Sequence, residues 1–257
     1  MEKWVELGGQ LDGLLKLRTT PLGVKFYRKV ENAPEGISPL HFPCAACQVA
    51  GFSRYYRRPV LATKNECYHC QVGGAALGFW DIEDDFKDGT RNAGFWAKDA
   101  DATAKLVEGD VIPAGSFEAA LFAPLSKMPE QPDVVLAYGT PDQMLSLVYG
   151  QIWNGGERVK LETNGHGGTC RECIAAPYLR DELRLAITDI GERKFAVAYD
   201  YEMVAGWPYG KFEWLVDGLT GALTKGIYVR PIAPWGFQPW PDMARDRTGL
   251  TSKFPPA

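Results

Sequence analysis

All six cysteines of this chain fall into three C-x-x-C pairs: Cys44 and Cys47 in "CAAC", Cys67 and Cys70 in "CYHC", Cys170 and Cys173 in "CREC". The three histidines, His41, His69 and His166, each lie within four residues of a cysteine. Thiolate and imidazole are the side chains that bind transition metals and carry redox chemistry, so their gathering into three clusters points to a metal or redox site.

Three chemistries compete for these pairs. Nineteen residues separate Cys47 from Cys67, and C-x2-C-x19-C-x2-C fits a four-thiolate zinc site. Against zinc, Gln48 and Gln71 stand where zinc knuckles carry a turn glycine, and "CREC" is left without a role. Disulfide exchange needs a low-pKa thiol at a helix start, but no thioredoxin-like β-α-β pattern surrounds the pairs. Iron–sulfur ligation accommodates the facts best, because thiolates hold the cluster while backbone N–H groups of small residues donate to its sulfides. "CQVGGAALG" offers Gly73 and Gly74 for that approach, and "NGHGGTC" offers Gly167 and Gly168.

The expectation is therefore an iron–sulfur cluster, [4Fe-4S] or larger, with zinc as the alternative metal. Its ligands are drawn from Cys44, Cys47, Cys67, Cys70, Cys170 and Cys173. His69 and His166 are the catalytic candidates, as ligands or proton carriers. Lys25, Glu66, Asp142, Glu162 and Glu172 are further ionisable side chains near the motifs, each with a surface ion pair as its competing role.

The elements that must position these groups read as follows. Residues 3–17 have the spacing of an amphipathic helix, 21–29 of a strand, 44–56 of a helix and 59–63 of a short strand. "SFEAALFAPL" (116–125) and "DVVLAYG" (133–139) read as buried strands. Thr140, Pro141 and Asp142 then supply a helix start, a strand–loop–helix arrangement that often receives small anions. Residues 157–163 read as a strand, 183–201 as two extended segments turning at Gly191, and 210–225 as a helix. The sum is an α/β or α+β fold with a mixed sheet, a single globular domain over 1–228. An irregular arm over 229–257 follows, whose Trp235, Phe237 and Trp240 either cover the core or join a second subunit.

A net charge of −4 argues against a nucleic-acid groove, and "RYYRRP" is too short to supply one. No stretch reaches the eighteen or so apolar residues of a bilayer span, and the amino terminus lacks the apolar run of a signal peptide. A cytoplasmic protein is expected, a compartment where paired cysteines bind metal or react more often than they form structural disulfides. Neither a Walker loop nor G-x-G-x-x-G nor H-E-x-x-H is present, so nucleotide and zincin chemistry have no motif.

"LRTTPLGVKF", "KNECYHCQVGGAALGF", "FAPL", "PDVVLAYGTPDQMLSLV" and "GHGGTCRECIAAPY", in that order, resemble family 169 of the domains of unknown function over about residues 11–220. The resemblance implies no general activity. It does imply about one cysteine at each of the three places where this chain has two, similar to a three-thiolate set for a [4Fe-4S] cluster with one open iron. The doubling here leaves two clusters, one larger cluster, or one cluster with spare thiols. Three functions follow: a redox or Lewis-acid metalloenzyme acting on a small molecule or serving a redox partner protein, a zinc-stabilised binding module, or a carrier of metal or cluster.

Overall fold

In the computed structural model, which describes residues 2–225, the chain opens with α1 (Lys3–Leu15), burying Leu7, Leu11 and Leu15 along one stripe. β1 (Leu22–Tyr27), α2 (Ala46–Tyr56), β2 (Val60–Thr63), α3 (Gln71–Ala76), α4 (Asp84–Lys87) and α5 (Ala100–Val107) follow. Next come β3 (Ala119–Pro124), β4 (Val134–Gly139), α6 (Pro141–Gly155), β5 (Lys160–Leu161), a π-helix (Gly168–Ala175) and α7 (Ala176–Arg180). β6 (Arg184–Ile187), α8 (Ile190–Phe195), β7 (Met203–Pro208) and α9 (Phe212–Thr224) close the described chain.

The strands form one seven-stranded sheet in the order β2-β3-β1-β4-β7-β6-β5. Neighbours are antiparallel except β5 and β6, so the sheet is mixed and the fold is α+β. β4 shows how both faces are covered. Val134, Leu136 and Tyr138 join a core with α2 and the π-helix, whereas Val135 and Ala137 join one with α1, α6 and α9. Successive strand residues point to opposite faces, so burial on both sides demands the unbroken apolar run of "DVVLAYG". The buried cysteines Cys44, Cys67, Cys170 and Cys173 all belong to the first core.

The helix start at Thr140 forms as its residues require. The Thr140 hydroxyl accepts the Gln143 N–H at 3.3 Å, and Gln143 Oε1 accepts the Thr140 N–H at 2.8 Å, a capping box before Pro141. Gln143 Nε2 also donates to the carbonyls of Leu15 (2.9 Å) and Lys16 (3.0 Å). The start of α6 therefore closes the end of α1.

Between 183 and 201 the structure differs from the expected pair of extended segments. Only Arg184–Ile187 is a strand, and Gly191 lies inside helix α8 instead of at a turn. The cause is local: Asp189 Oδ1 accepts the Glu192 N–H at 2.9 Å while Glu192 Oε2 accepts the Asp189 N–H at 2.7 Å. Strand β7 lies where the sequence analysis places no element, and its Gly206 and Pro208 are residue types that weaken a central strand. A Cβ at Gly206 would lie 1.8 Å from the Cys173 carbonyl oxygen, so glycine is what allows the π-helix to rest on the sheet. The strand expected at 157–163 is an edge pair, Lys160–Leu161. The arm over 229–257, with Trp235, Phe237 and Trp240, lies outside the described residues, as does its boundary. Among the described residues no helix is long and apolar enough to cross a membrane.

Candidate metal centre

Each C-x-x-C pair sends one thiol to the same place. Cys47 lies in the first turn of α2, Cys70 is the residue that caps α3, and Cys170 lies in the first turn of the π-helix. These three line one cavity of about 460 Å³ together with His69, His166 and Asp189. Two more open clefts, of about 580 and 570 Å³, are lined by no cysteine.

Local hydrogen bonds orient each thiol. Gln48 Oε1 accepts the Ala45 N–H at 2.8 Å and so holds the turn that presents Cys47. Cys70 Sγ accepts the Gly73 N–H at 3.3 Å. The π-helix is keyed to α8: Gly168 N–H donates to Asp189 Oδ2 at 2.8 Å, and the Thr169 hydroxyl donates to Glu192 Oε1. Its wide turns, a geometry that recurs at functional sites, bring Cys170 to the cavity.

The other thiol of each pair is turned into protein. Cys44 and Cys67 are 1% and 0% exposed and hydrogen-bond to each other, which holds Cys44 below and Cys67 above the ordinary thiol range. Cys173 Sγ, fully buried, faces the backbone carbonyls of Val204 (3.5 Å) and Arg184 (3.8 Å). None of these three lines the cavity.

Burial pushes the Cys47 and Cys170 thiols well up, and the nearby Cys70, Asp189 and Glu192 push in the same direction. Burial also raises Cys70, against the pull of the Gly73 N–H. Three thiolates in one buried space beside a carboxylate repel one another, so they ionise together only around a concentrated positive charge. Among the described residues no three or more Cys, His, Asp or Glu side chains are grouped closely enough to hold one metal ion.

The model of the family described as Uncharacterised ArCR, domain of unknown function 169, matches residues 10–218. The chain belongs to that family. It is also similar to an uncharacterised protein of Methanocaldococcus jannaschii, 27% identical over 212 residues that cover 80% of this chain and 89% of the relative. No solved structure matches the chain.

In this ArCR-family chain the remaining candidates separate clearly. His69 and His166 both reach the cavity; burial lowers the His166 pKa, favouring its neutral form. His166 lies ring to ring with Trp96, the centroids 4.3 Å apart. His41 lines a different cleft. Gly167 lines the cavity, and Gly73 serves Cys70 through its N–H. Gly74 and Gly168 make room for protein groups: a Cβ there would lie 1.9 Å from the Trp80 ring and 2.7 Å from Glu192 Oε2. Lys25 pairs with Asp133 at 2.9 Å, Glu66 accepts from Thr63, and Glu162 pairs with Arg184. Neither these nor Asp142 nor Glu172 lines the cavity.

Sequence reading missed Asp189, Thr169 and Glu192, although the D-x-x-E spacing at 189–192 is a helix-start signal. Tyr138 OH lies 2.6 Å from Thr169 Oγ1, and the Arg54 guanidinium lies 3.9 Å from the centroid of the Tyr138 ring. Burial, with Asp189 beside it, raises the Glu192 carboxyl from 4.5 to about 8. The folded chain thus keeps a proton that the unfolded chain releases, and this part of the stability is complete below pH 4.5 and lost as pH rises through 8. Glu192→Gln should flatten that slope: urea unfolding of the metal-free chain should show the variant gaining on the parent from pH 5 to 8, where unchanged parallel profiles would contradict the assignment.

Proposed function

We propose that this chain is an iron–sulfur protein whose cluster, of [4Fe-4S] type, is held by Cys47, Cys70 and Cys170. The observation that carries the reading is the arrival of one thiol from each of three distant C-x-x-C pairs at one cavity. The donor set fits: three thiols, no fourth cysteine at the cavity, and two imidazoles beside them. Three thiolates leave one iron of a cubane without a cysteine, and a bound cluster of that kind supplies either electron transfer or a Lewis-acid iron.

The protein's own residues do the rest. Cys70 receives the Gly73 N–H, which lowers the cost of negative charge on sulfur. His166, half-buried and neutral, can accept a proton from a group in the cavity, and His69 offers a second imidazole there. Asp189 is held by the N–H groups of Gly168 and Glu192, so it fixes the backbone next to Cys170. An enzyme acting on a small molecule at the open cavity is the activity this arrangement supports best.

Purification without oxygen, followed by iron, sulfide and zinc counts per chain, tests the reading. The expected result is a brown protein absorbing broadly near ~400 nm, with about four irons and about four sulfides. A colourless protein carrying zinc would overturn it. An iron count well above four would mean a larger cluster that recruits the inner thiols as well.

A further inference from the structure

The cavity carries a second set of side chains for which the three thiols have no use. Phe86, Phe95, Trp96, Ile190 and Phe195 line it, and Phe95, Ile190 and Phe195 are 81%, 61% and 55% exposed. Single exposed apolar residues are ordinary, but several gathered at one cavity mark a place where an apolar body is covered. The rings are also ordered. Trp96 meets Phe86 edge-on with centroids 5.3 Å apart and lies tilted against His166 with centroids 4.3 Å apart. An aromatic run therefore leads to the loop that precedes the π-helix of Cys170.

The charged groups are few. Asp189 is the one carboxylate of the lining, and both its oxygens are engaged by the N–H groups of Gly168 and Glu192. Lys194 is the one lysine or arginine of the lining. Among the described residues no carboxylate pairs with it; its ammonium lies 5.3 Å from the centroid of the Phe195 ring. The whole cavity, its thiol end included, measures about 460 Å³, within the range of small-molecule sites.

We infer that the cavity takes a small organic monocarboxylate with a flat, aromatic body, its carboxylate at Lys194 and its body along Trp96 and Phe95. The aromatic rings supply stacking and desolvation, and the ammonium supplies a charge-assisted hydrogen bond to the anion. The inference rests on the iron–sulfur reading only for what meets the end of the ligand nearest the thiols. It names the substrate class and leaves the reaction to that reading.

The test is isothermal titration calorimetry of the full chain, with and without its metal, using phenylacetate, acetate and benzyl alcohol as probes. Phenylacetate should bind saturably, with acetate and benzyl alcohol each weaker by about tenfold or more. Lys194→Met should weaken phenylacetate about tenfold and leave benzyl alcohol unchanged, whereas Lys194→Arg should restore phenylacetate. Phe95→Ala, at a largely exposed position, should weaken both aromatic probes. Equal affinity for acetate and phenylacetate would overturn the aromatic part, and an unchanged phenylacetate affinity in Lys194→Met would overturn the anion site. Selective phenylacetate binding by a chain that takes up no iron would support this inference and sink the cluster reading. Iron uptake with no preference for phenylacetate would do the reverse.

Discussion

Cys47→Ser, Cys70→Ser and Cys170→Ser, made one at a time, should each strip the chain of most of its iron and bleach its absorption, while Cys173→Ala keeps both. The division follows from where the thiols point. The first three line one cavity, whereas Cys173 faces the backbone of β6 and β7. Cys44→Ala and Cys67→Ala should also keep the iron, because those two thiols hydrogen-bond to each other inside the core. They should instead lower stability by about 1–2 kcal/mol, the ordinary cost of trimming a packed interior residue. Iron content and urea midpoints of the metal-free variants separate the two effects. The three cavity variants should lose metal and change little in the metal-free midpoint, and bound cofactor should stabilise only the chains that retain it. Full iron in Cys70→Ser together with loss from Cys173→Ala would exclude the proposed ligand set.

The second large effect lies beneath the cavity, at a buried ion pair. Arg54 and Glu202 are 1% and 2% exposed and meet through two hydrogen bonds of 3.0 and 3.1 Å. Glu202 also accepts the Tyr199 N–H at 2.9 Å, and Arg54 lies over Tyr138, the partner of Thr169. Arg54→Met leaves the Glu202 carboxylate in the interior with no cation, which should cost about 3–5 kcal/mol. That is a large share of the roughly 5–15 kcal/mol by which a domain is stable. Arg54→Met combined with Glu202→Gln removes the stranded charge and should recover much of the loss, since the two residues form one unit. Urea unfolding of parent, single and double variants measures this directly. A double variant as unstable as the sum of its singles would show that the pair is not coupled.

Much of the scaffold was legible in the residues. Helix α1, strands β1, β3 and β4, the capped start of α6 and helix α9 follow from apolar period and cap chemistry, which act over a few neighbouring residues. At Gly191 the expected turn gives way to a local signal, the Asp189–Glu192 capping box, whereas at β7 distant contacts decide. "EMVAGWPYG" looks unlike a central strand because its glycine and proline weaken one, yet β7 sits between β4 and β6. Gly206 is there for the π-helix backbone, a partner some thirty positions earlier in the chain.

The candidate site divides in the same way. Three paired-thiol clusters with adjacent histidines were set by the sequence alone, since residue type and spacing decide which groups can bind a soft metal. Which member of each pair faces the cavity was decided only by tertiary packing. Two residues three apart at a helix start can both approach one site or can point to opposite sides of their element, and local pattern does not distinguish these outcomes. Cys47, Cys70 and Cys170 line the cavity, whereas Cys44 and Cys67 pair with each other and Cys173 faces the sheet backbone. Asp189, Trp96 and Lys194 join them from positions between 19 and 74 residues away from Cys170, brought in by the docking of α8 on the π-helix and by the packing of Trp96 on Phe86 and His166.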